Sequence, residues 1–352
     1  MAIQKMSIET YHQNTEYQIT IDVRSPAEYE HAHIPNAFSL PLFDNEQRAV
    51  VGTTYKKQSR ENAIKIALPM FGEKMLNMVN EVEVLVNKYA AQHDRNKPII
   101  IVHCWRGGMR SAAVAWLLDL YGFKVAQLIG GYKAYRNWII SHFDIEYKLK
   151  VIGGYTGSGK TEILHALKAK GESIIDLEGL ANHKGSSFGA LGQAIQPSQE
   201  MFENILGLAL SKMDAINNTI WIEDESQRIG TVMVPNNFFK LIRKSPCYFI
   251  EIPFSERLNF IVSHYGSFDK EDLIAATTRI QKRLGGLETK NAIQYLELGD
   301  VHAAFDILLK YYDKWYDKFS KTSAEPTLQL IKLTAKEVNP SDNAKILLAL
   351  NK

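Results

Sequence analysis

The stretch PIIIVHCWRGGMRS, residues 98–111, contains an apolar run, a cysteine and two glycines flanked by arginines. Residues 98–103 are apolar and β-branched, which predicts a short buried strand. From Ser111 to Leu120 the apolar residues recur at helical spacing, and Gly122 marks the end of the predicted helix. A strand, a glycine turn and a helix in this order favour a parallel sheet with helices on both faces.

The turn after this strand is typical of a reactive sulfur at Cys104. Its backbone amides are expected to point inward, and the N-terminus of the following helix adds positive potential. Both favour the thiolate over the thiol, and Arg106 and Arg110 are placed to hold a bound anion. A free cysteine is more often a small buried apolar residue, but that role requires neither the glycines nor the arginines. We therefore predict that Cys104, Arg106 and Arg110 are catalytic.

A second loop occurs in KLKVIGGYTGSGKT, residues 148–161, which matches the Gly-x4-Gly-Lys-Thr pattern between a predicted strand and a predicted helix. The amides of such a loop surround phosphate oxygens, the lysine pairs with the terminal phosphates, and the threonine can ligate Mg²⁺. Mg²⁺ is therefore a candidate ion here. The predicted phosphate-binding residues are Gly154, Gly157, Ser158, Gly159, Lys160 and Thr161.

Phosphate-binding loops commonly work with an acidic residue at the end of a neighbouring strand. Asp224, which follows the apolar residues 220–222, is the predicted Walker B-like acid, although a solvated strand end explains this acidic run nearly as well. Asp176 and Glu178 are the second candidates. The polar, glycine-rich residues 182–189 suit either a loop near the phosphate site or an ordinary connection.

Composition and charge indicate an ordinary globular protein. Its 352 residues favour two domains, and a net charge of +2 leaves no basic or acidic tail. The two cysteines, Cys104 and Cys247, exclude a disulfide framework, and the absence of a zinc-type Cys/His cluster predicts no metal site of that kind. Without a signal peptide or a membrane-spanning apolar run, we expect a cytoplasmic protein with no membrane partner.

The alternation of strands and helices predicts an α/β fold for both halves of the chain. Residues 1–145 are expected to form a parallel-sheet domain around the cysteine loop. Residues 146–352 are expected to form a P-loop NTPase-like α/β domain with a helical C-terminal part.

The cysteine loop resembles two protein families. His-Cys-x5-Arg-Ser is similar to the signature of cysteine phosphatases, in which the cysteine attacks a phosphoester, and also to rhodanese-like domains, in which it carries a transferable sulfur. Three further segments resemble the rhodanese motifs: Asp22–Tyr29, His33–Ala37 and Gly130–Tyr132. Ala32 and Asn36 stand where that family usually has glycine. The loop is one residue longer than the usual rhodanese Cys-x4-Arg form, so it suits a larger group.

A rhodanese-like domain followed by a P-loop domain resembles the tRNA 2-selenouridine synthase family. The resemblance covers about residues 22–225 and is most specific in residues 41–57, 104–111, 153–161 and 221–230. It implies a transferase that replaces the sulfur of the wobble 2-thiouridine of tRNA with selenium from selenophosphate. It also implies an S-geranylated intermediate made from geranyl diphosphate.

The same resemblance implies roles for the two loops. Cys104 would carry selenium as a perselenide, Arg106 and Arg110 would hold phosphate-like charge, and residues 154–161 would bind a diphosphate. The expected partners are a tRNA with a 2-thiouridine wobble base and a supply of selenophosphate.

Two other functions stay open from the residues themselves. A cysteine phosphatase fused to a P-loop small-molecule kinase would use the same two loops. A nucleotide-switched binding module would bind ATP or GTP at the second loop without turnover. The ligand predicted for that loop is therefore geranyl diphosphate, ATP or GTP.

Overall fold

The computed structural model describes residues 3–13, 18–93, 97–322 and 329–350, without the side chains of residues 317–322. The chain divides into two compact units, residues 1–141 and 142–352. The boundary predicted after residue 145 lies between a short 3-10 helix, His142–Asp144, and the next strand.

The first unit is a parallel sheet with helices. Its elements are β1 Gln4–Met6, α1 Ile8–Gln13, β2 Gln18–Asp22, α2 Pro26–His31, β3 Phe38–Ser39, α3 Asn45–Lys57, α4 Arg60–Gln92, β4 Ile99–His103, α5 Met109–Tyr121, β5 Val125–Leu128 and α6 Gly131–Ser141. The strand order is β1-β5-β4-β2-β3, and every pair is parallel. The cysteine loop follows β4, the central strand.

Two helices between β3 and β4, which the sequence analysis did not predict, cover part of this sheet. Asp44 caps α3 by accepting a hydrogen bond from the Gln47 amide at 2.8 Å, and Ser59 caps α4 by accepting from the Asn62 amide at 3.1 Å. Such caps satisfy amide groups that a helix start leaves unpaired. One face of α4 packs with α5 and the central strands in a single apolar core.

The second unit has the same parallel character with more helices. Its elements are β6 Lys148–Gly153, α7 Lys160–Ala169, β7 Ser173–Ile175, α8 Leu177–Ala181, α9 Gln199–Ser211, β8 Thr219–Glu223, β9 Arg228–Ile229, β10 Val232–Met233, α10 Asn236–Lys244, β11 Cys247–Glu251, α11 Phe254–Tyr265, α12 Lys270–Arg279, α13 Gln281–Leu284, α14 Gly286–Glu297, α15 Val301–Thr322, β12 Leu330–Thr334 and α16 Pro340–Ala349.

The main sheet of this unit has the order β12-β11-β6-β8-β7, and all its pairs are parallel. One apolar core lies between the sheet and helices α7 and α16. A second core joins α11, α12, α14 and α15, which form the helical C-terminal part. The predicted α/β fold class is confirmed in both units. Among the described helices, none combines the length and the apolar character that crossing a bilayer requires.

A buried ion pair joins β2 to the segment that follows it. Arg24 Nη2 lies 2.6 Å from Asp22 Oδ2 and also donates to the Ala32 carbonyl at 2.7 Å, and both side chains are at most 1% exposed. The guanidinium lies 3.9 Å from the centre of the Tyr132 ring. Although burial raises it, the charges of His103 and Arg24 hold the pKa of Asp22 below its ordinary value.

Replacing Arg24 by methionine should destabilise the protein strongly, because it leaves the Asp22 carboxylate buried without its partner. Removing one member of a buried pair typically costs about 3–5 kcal/mol, and urea unfolding of the purified variant measures this loss.

Arg48→Met is the matched control. Arg48 is 48% exposed and its ion pair is a 3.4 Å contact with Glu28, so its loss should change the free energy of unfolding by about 1 kcal/mol or less. Equal losses in the two variants would contradict the assigned role of the buried pair.

Candidate functional site

The sulfur of Cys104 lies directly under the start of α5. It accepts hydrogen bonds from the Gly108 amide and from the Ser111 hydroxyl, both at 3.3 Å. Gly108 is the N-cap of that helix, so the positive end of the helix dipole faces the sulfur. The Cys104 residue is 4% exposed. This arrangement of donors is suited to a thiolate.

The connection from β5 to α6 forms one wall of the cysteine loop. The amides of Tyr132 and Lys133 donate to the carbonyls of Cys104 and Trp105, both at 2.9 Å. A Cβ on Gly131, whose φ is +57°, would lie 2.3 Å from the Cys104 carbonyl oxygen. Only glycine permits this approach at Gly131, and Gly130 also has a positive φ, +72°.

Gln127 holds the other side of the loop. Its side-chain amide nitrogen donates to the carbonyls of Gly107 and Gly108, at 2.9 and 3.1 Å, and to the Ser111 hydroxyl at 2.7 Å. The residue is 1% exposed. Sequence reasoning missed it, although a lone polar residue in the apolar strand β5 was a usable signal, since buried polar groups are normally hydrogen-bonded.

The two predicted arginines have different surroundings. Arg106 is exposed, and among the described residues it forms no hydrogen bond or ion pair. Arg110 Nη1 donates to Glu28 Oε2 at 2.8 Å. Burial raises the pKa of Glu28, but the hydrogen bond and charge of Arg110 outweigh it and lower that pKa to about 2. Arg106 is thus available to an incoming anion, whereas Arg110 is held beside the loop by a carboxylate.

The second loop joins β6 to α7, as predicted. Lys160 Nζ donates to the Gly154 carbonyl at 3.3 Å, within the loop itself. The Ser158 hydroxyl is buried and has no hydrogen-bond partner in the described part of the chain. The Arg257 guanidinium donates to the Thr156 carbonyl at 3.0 Å and to the Asp313 carboxylate at 2.9 and 2.7 Å. Helices α11 and α15 therefore brace the loop.

Three glutamates lie beside this loop. Thr161 donates to Glu178 Oε2 at 2.9 Å, and the Glu178 amide donates to Glu223 Oε1 at 2.8 Å. Burial, followed by the charge of Glu178, raises the pKa of Glu225 to about 8, and burial also raises the pKa of Glu178 and of Glu223. At neutral pH this group therefore retains protons that isolated glutamates would lose.

Asp224, predicted as the Walker B-like acid, has other partners. Its carboxylate accepts hydrogen bonds from Arg243 and, at 2.6 Å, from the Tyr316 hydroxyl. The acid that contacts Thr161 is Glu178, one of the two second candidates. The Thr161 hydroxyl and the Glu178 carboxylate are oxygen donors of the kind that Mg²⁺ prefers, with phosphates supplying further ligands. Within the described ranges, no group of three or more His, Cys, Asp or Glu side chains forms a metal site.

The glycine-rich residues 182–189 pack against the same carboxylates. A Cβ on Gly185 would lie 2.8 Å from Glu225 Oε1 and 3.0 Å from Glu178 Oε1. The Ser187 hydroxyl donates to the Ala276 carbonyl at 2.7 Å, and Arg279 donates to the Ser187 carbonyl at 2.8 Å. The segment is thus a hydrogen-bonded loop beside the phosphate-binding loop.

Comparison with known proteins matches both units. Residues 147–339 match the family model described as tRNA 2-selenouridine synthase AAA domain, and residues 8–137 match the rhodanese-like domain. A tRNA 2-selenouridine synthase of Hydrogenovibrio crunogenus is 34% identical over 330 residues, which cover 84% of this chain and 88% of that protein. One from Sulfurovum sp. is 34% identical over 332 residues, which cover 84% of this chain and 87% of that protein.

Among solved structures, the N-terminal domain of a putative ATP/GTP binding protein from Clostridium difficile 630 is 36% identical, with a TM-score of 0.34. The match covers 39% of this chain and 99% of that one. The family model matches the second unit, and the relatives align with most of this chain and most of their own length. Both comparisons indicate the same family. This chain belongs to the tRNA 2-selenouridine synthase family.

Proposed function

We propose that this chain replaces the sulfur of the wobble 2-thiouridine of tRNA with selenium, using selenophosphate as the selenium donor and an S-geranylated tRNA as intermediate. The observation that carries the proposal is the hydrogen bonding of the Cys104 sulfur by a helix-start amide and a hydroxyl, in a chain of this family that also has a phosphate-binding loop. Family membership disfavours the alternative of a phosphatase fused to a kinase.

In the first step, the phosphate-binding loop holds the diphosphate of geranyl diphosphate. The thiocarbonyl sulfur of the base attacks C1 of the geranyl group, a C–S bond forms, the C–O bond breaks, and diphosphate leaves as the base loses its N3 proton. Lys160 and the loop amides stabilise the charge that develops on the leaving diphosphate. The sulfur becomes a thioether, which is a displaceable group.

In the second step, the Cys104 thiolate attacks the phosphorus of selenophosphate. An S–P bond forms, the P–Se bond breaks, and selenide departs with the electron pair. The selenide adds to C2 of the geranylated base and expels geranylthiolate, and water then hydrolyses the S–P bond to release phosphate. No external oxidant or reductant is needed at any point.

The family resemblance implies a perselenide on Cys104, in which selenium has a higher oxidation state than in the step described above. The terminal selenium of a perselenide is two electrons more oxidised than the selenium of selenophosphate, so its formation on Cys104 would require an oxidant. We therefore propose that Cys104 bonds to the phosphorus of selenophosphate rather than to its selenium. Arg106 would lie close to the incoming anion, with Arg110 beside it. The charged donors of these arginines match phosphate oxygens.

Cys104→Ser should abolish formation of 2-selenouridine and leave S-geranylated tRNA to accumulate, because the serine hydroxyl is not ionised at neutral pH. Mass spectrometry of nucleosides from tRNA incubated with enzyme, geranyl diphosphate and selenophosphate measures both products.

The control for this experiment is Cys247→Ala, which removes the other cysteine. Cys247 lies in β11 of the second unit and is 2% exposed, and selenium incorporation should continue in this variant. Normal 2-selenouridine formation by Cys104→Ser would remove Cys104 from the reaction.

Lys160→Ala should strongly reduce both products, because geranylation comes first. Loss of a positive charge against a phosphate group corresponds to about a hundredfold slower first step, within the range measured for single transition-state donors. When the variant receives tRNA that already carries the geranyl group, selenium incorporation should return.

Lys168→Ala is the matched control, since Lys168 is an exposed lysine of the same helix, α7. It should geranylate tRNA at the parent rate. Unchanged geranylation by Lys160→Ala would overturn the assignment of the diphosphate to this loop.

A further inference from the structure

A hydrogen-bonded chain of side chains leads from the edge of the first sheet to the Cys104 sulfur. Lys5 on β1 stands opposite Gln127 on β5 in the strand register. Lys5 Nζ donates to Gln127 Oε1. An ammonium group has donors only, so the oxygen of the amide must face it and the NH₂ group must face the cysteine loop.

The orientation of the Gln127 amide determines which acceptor the Ser111 hydroxyl can donate to. Gln127 Nε2 donates to Ser111 Oγ at 2.7 Å. That hydroxyl can then donate to the Gly108 carbonyl at 3.1 Å or to the Cys104 sulfur at 3.3 Å.

The Gly108 carbonyl already has other donors. It accepts from the Ala112 amide at 3.0 Å, and it lies 3.1 Å from Gln127 Nε2, whose two hydrogens it shares with the nearer Gly107 carbonyl and Ser111 hydroxyl, so it is a partly satisfied acceptor. The sulfur is therefore the better acceptor for the Ser111 proton, above all when it carries the negative charge of a thiolate, because hydrogen bonds to ionised groups are the stronger ones.

We propose that Gln127, oriented by Lys5, is a positioning residue that directs the Ser111 hydroxyl at Cys104 and so stabilises its thiolate. The inference rests on the proposed function, in which Cys104 reacts as a nucleophile. Gln127 itself does not contact the sulfur. It acts through Ser111 and through the two loop carbonyls that it holds.

Other charged groups surround the loop and stay unchanged in the experiment. Arg110, at the start of α5, is paired with Glu28 at 2.8 Å. The Asp22–Arg24 pair lies close by, with His103 Nε2 3.8 Å from Asp22 Oδ2. Differences among variants of Gln127 and Ser111, which carry no charge, therefore report on the side-chain hydrogen bonds.

The test is the rate of alkylation of Cys104 by iodoacetamide over a series of pH values, in the full-length protein. Burial raises the pKa of Cys247 to about 12, and a Cys104→Ser sample gives its small contribution as a blank. Gln127→Met should slow alkylation at neutral pH by about tenfold, as expected for the loss of one hydrogen bond to a charged group. The midpoint of the rate profile should move to higher pH.

Two further variants separate positioning from general damage. Ser111→Ala should give a similar loss, and the double variant Gln127→Met with Ser111→Ala should lose no more than either alone, because both act through one hydroxyl. Gln18→Met is the matched control: this glutamine lies on β2 of the same sheet and donates to the Tyr11 carbonyl at 3.1 Å, so the alkylation profile should stay that of the parent.

The outcomes distinguish the inference from the proposed function. If the parent protein is alkylated no faster than a free cysteine at neutral pH, the nucleophilic role of Cys104 fails. If the parent is fast and Gln127→Met is equally fast, the positioning role alone fails.

Lys5 supplies the deciding variant if Gln127→Met does not fold, since Lys5 is exposed on β1. Lys5→Met frees the amide to rotate and should slow alkylation by about threefold, a fraction of one hydrogen bond, whereas Lys5→Arg should restore the rate. A Lys5→Met protein with the parent profile would overturn the inference.

Discussion

The shape of the cysteine loop depends on one close backbone contact. Gly131 passes the Cys104 carbonyl with no side chain between them, and the next two amides, those of Tyr132 and Lys133, bind loop carbonyls. Because these carbonyls are turned toward the β5–α6 connection, the Gly108 amide on the other side is left to face the sulfur. The buried pair of Asp22 and Arg24 supports the same edge of the sheet through the Tyr132 ring. The hydrogen bond from the Gly108 amide to the Cys104 sulfur thus depends on the close packing of the cysteine loop against the β5–α6 connection.

Local patterns were enough to predict the fold class and the position of both loops. Residues 98–111 and 148–161 each encode a strand, a glycine turn and a helix over a short span, and parallel topology follows from that order. Contacts between distant residues were beyond such reasoning. Arg110 pairs with Glu28, and Thr161 with Glu178, and nothing in a local pattern states that two such side chains meet. The helices α3 and α4 were also missed.

The acidic strand end shows how the same residues divide between two roles. The sequence places Glu223, Asp224 and Glu225 side by side, at the last residue of β8 and in the loop that follows it. Glu223 and Glu225 interact with Glu178 beside the phosphate-binding loop, whereas Asp224 accepts hydrogen bonds from Arg243 and Tyr316. The sequence predicted Asp224 from its position after the apolar residues 220–222, and a local pattern of this kind does not state which of three adjacent acids faces the phosphate-binding loop.

The cysteine loop and the phosphate-binding loop share one structural feature but differ in the charges around it. Each places backbone amides at the start of a helix, where negative charge is stabilised. In the proposed reaction the cysteine loop provides its own anion, the Cys104 sulfur, which is surrounded by neutral donors, with Arg106 and Arg110 for the incoming phosphate group. In the same proposal the second loop binds an anion beside Glu178, Glu223 and Glu225. Burial raises the pKa of all three glutamates, so at a given pH they carry less negative charge against Lys160 than exposed glutamates would. In the proposed reaction, activating a leaving diphosphate and generating a sulfur nucleophile therefore require different side chains on the same backbone arrangement.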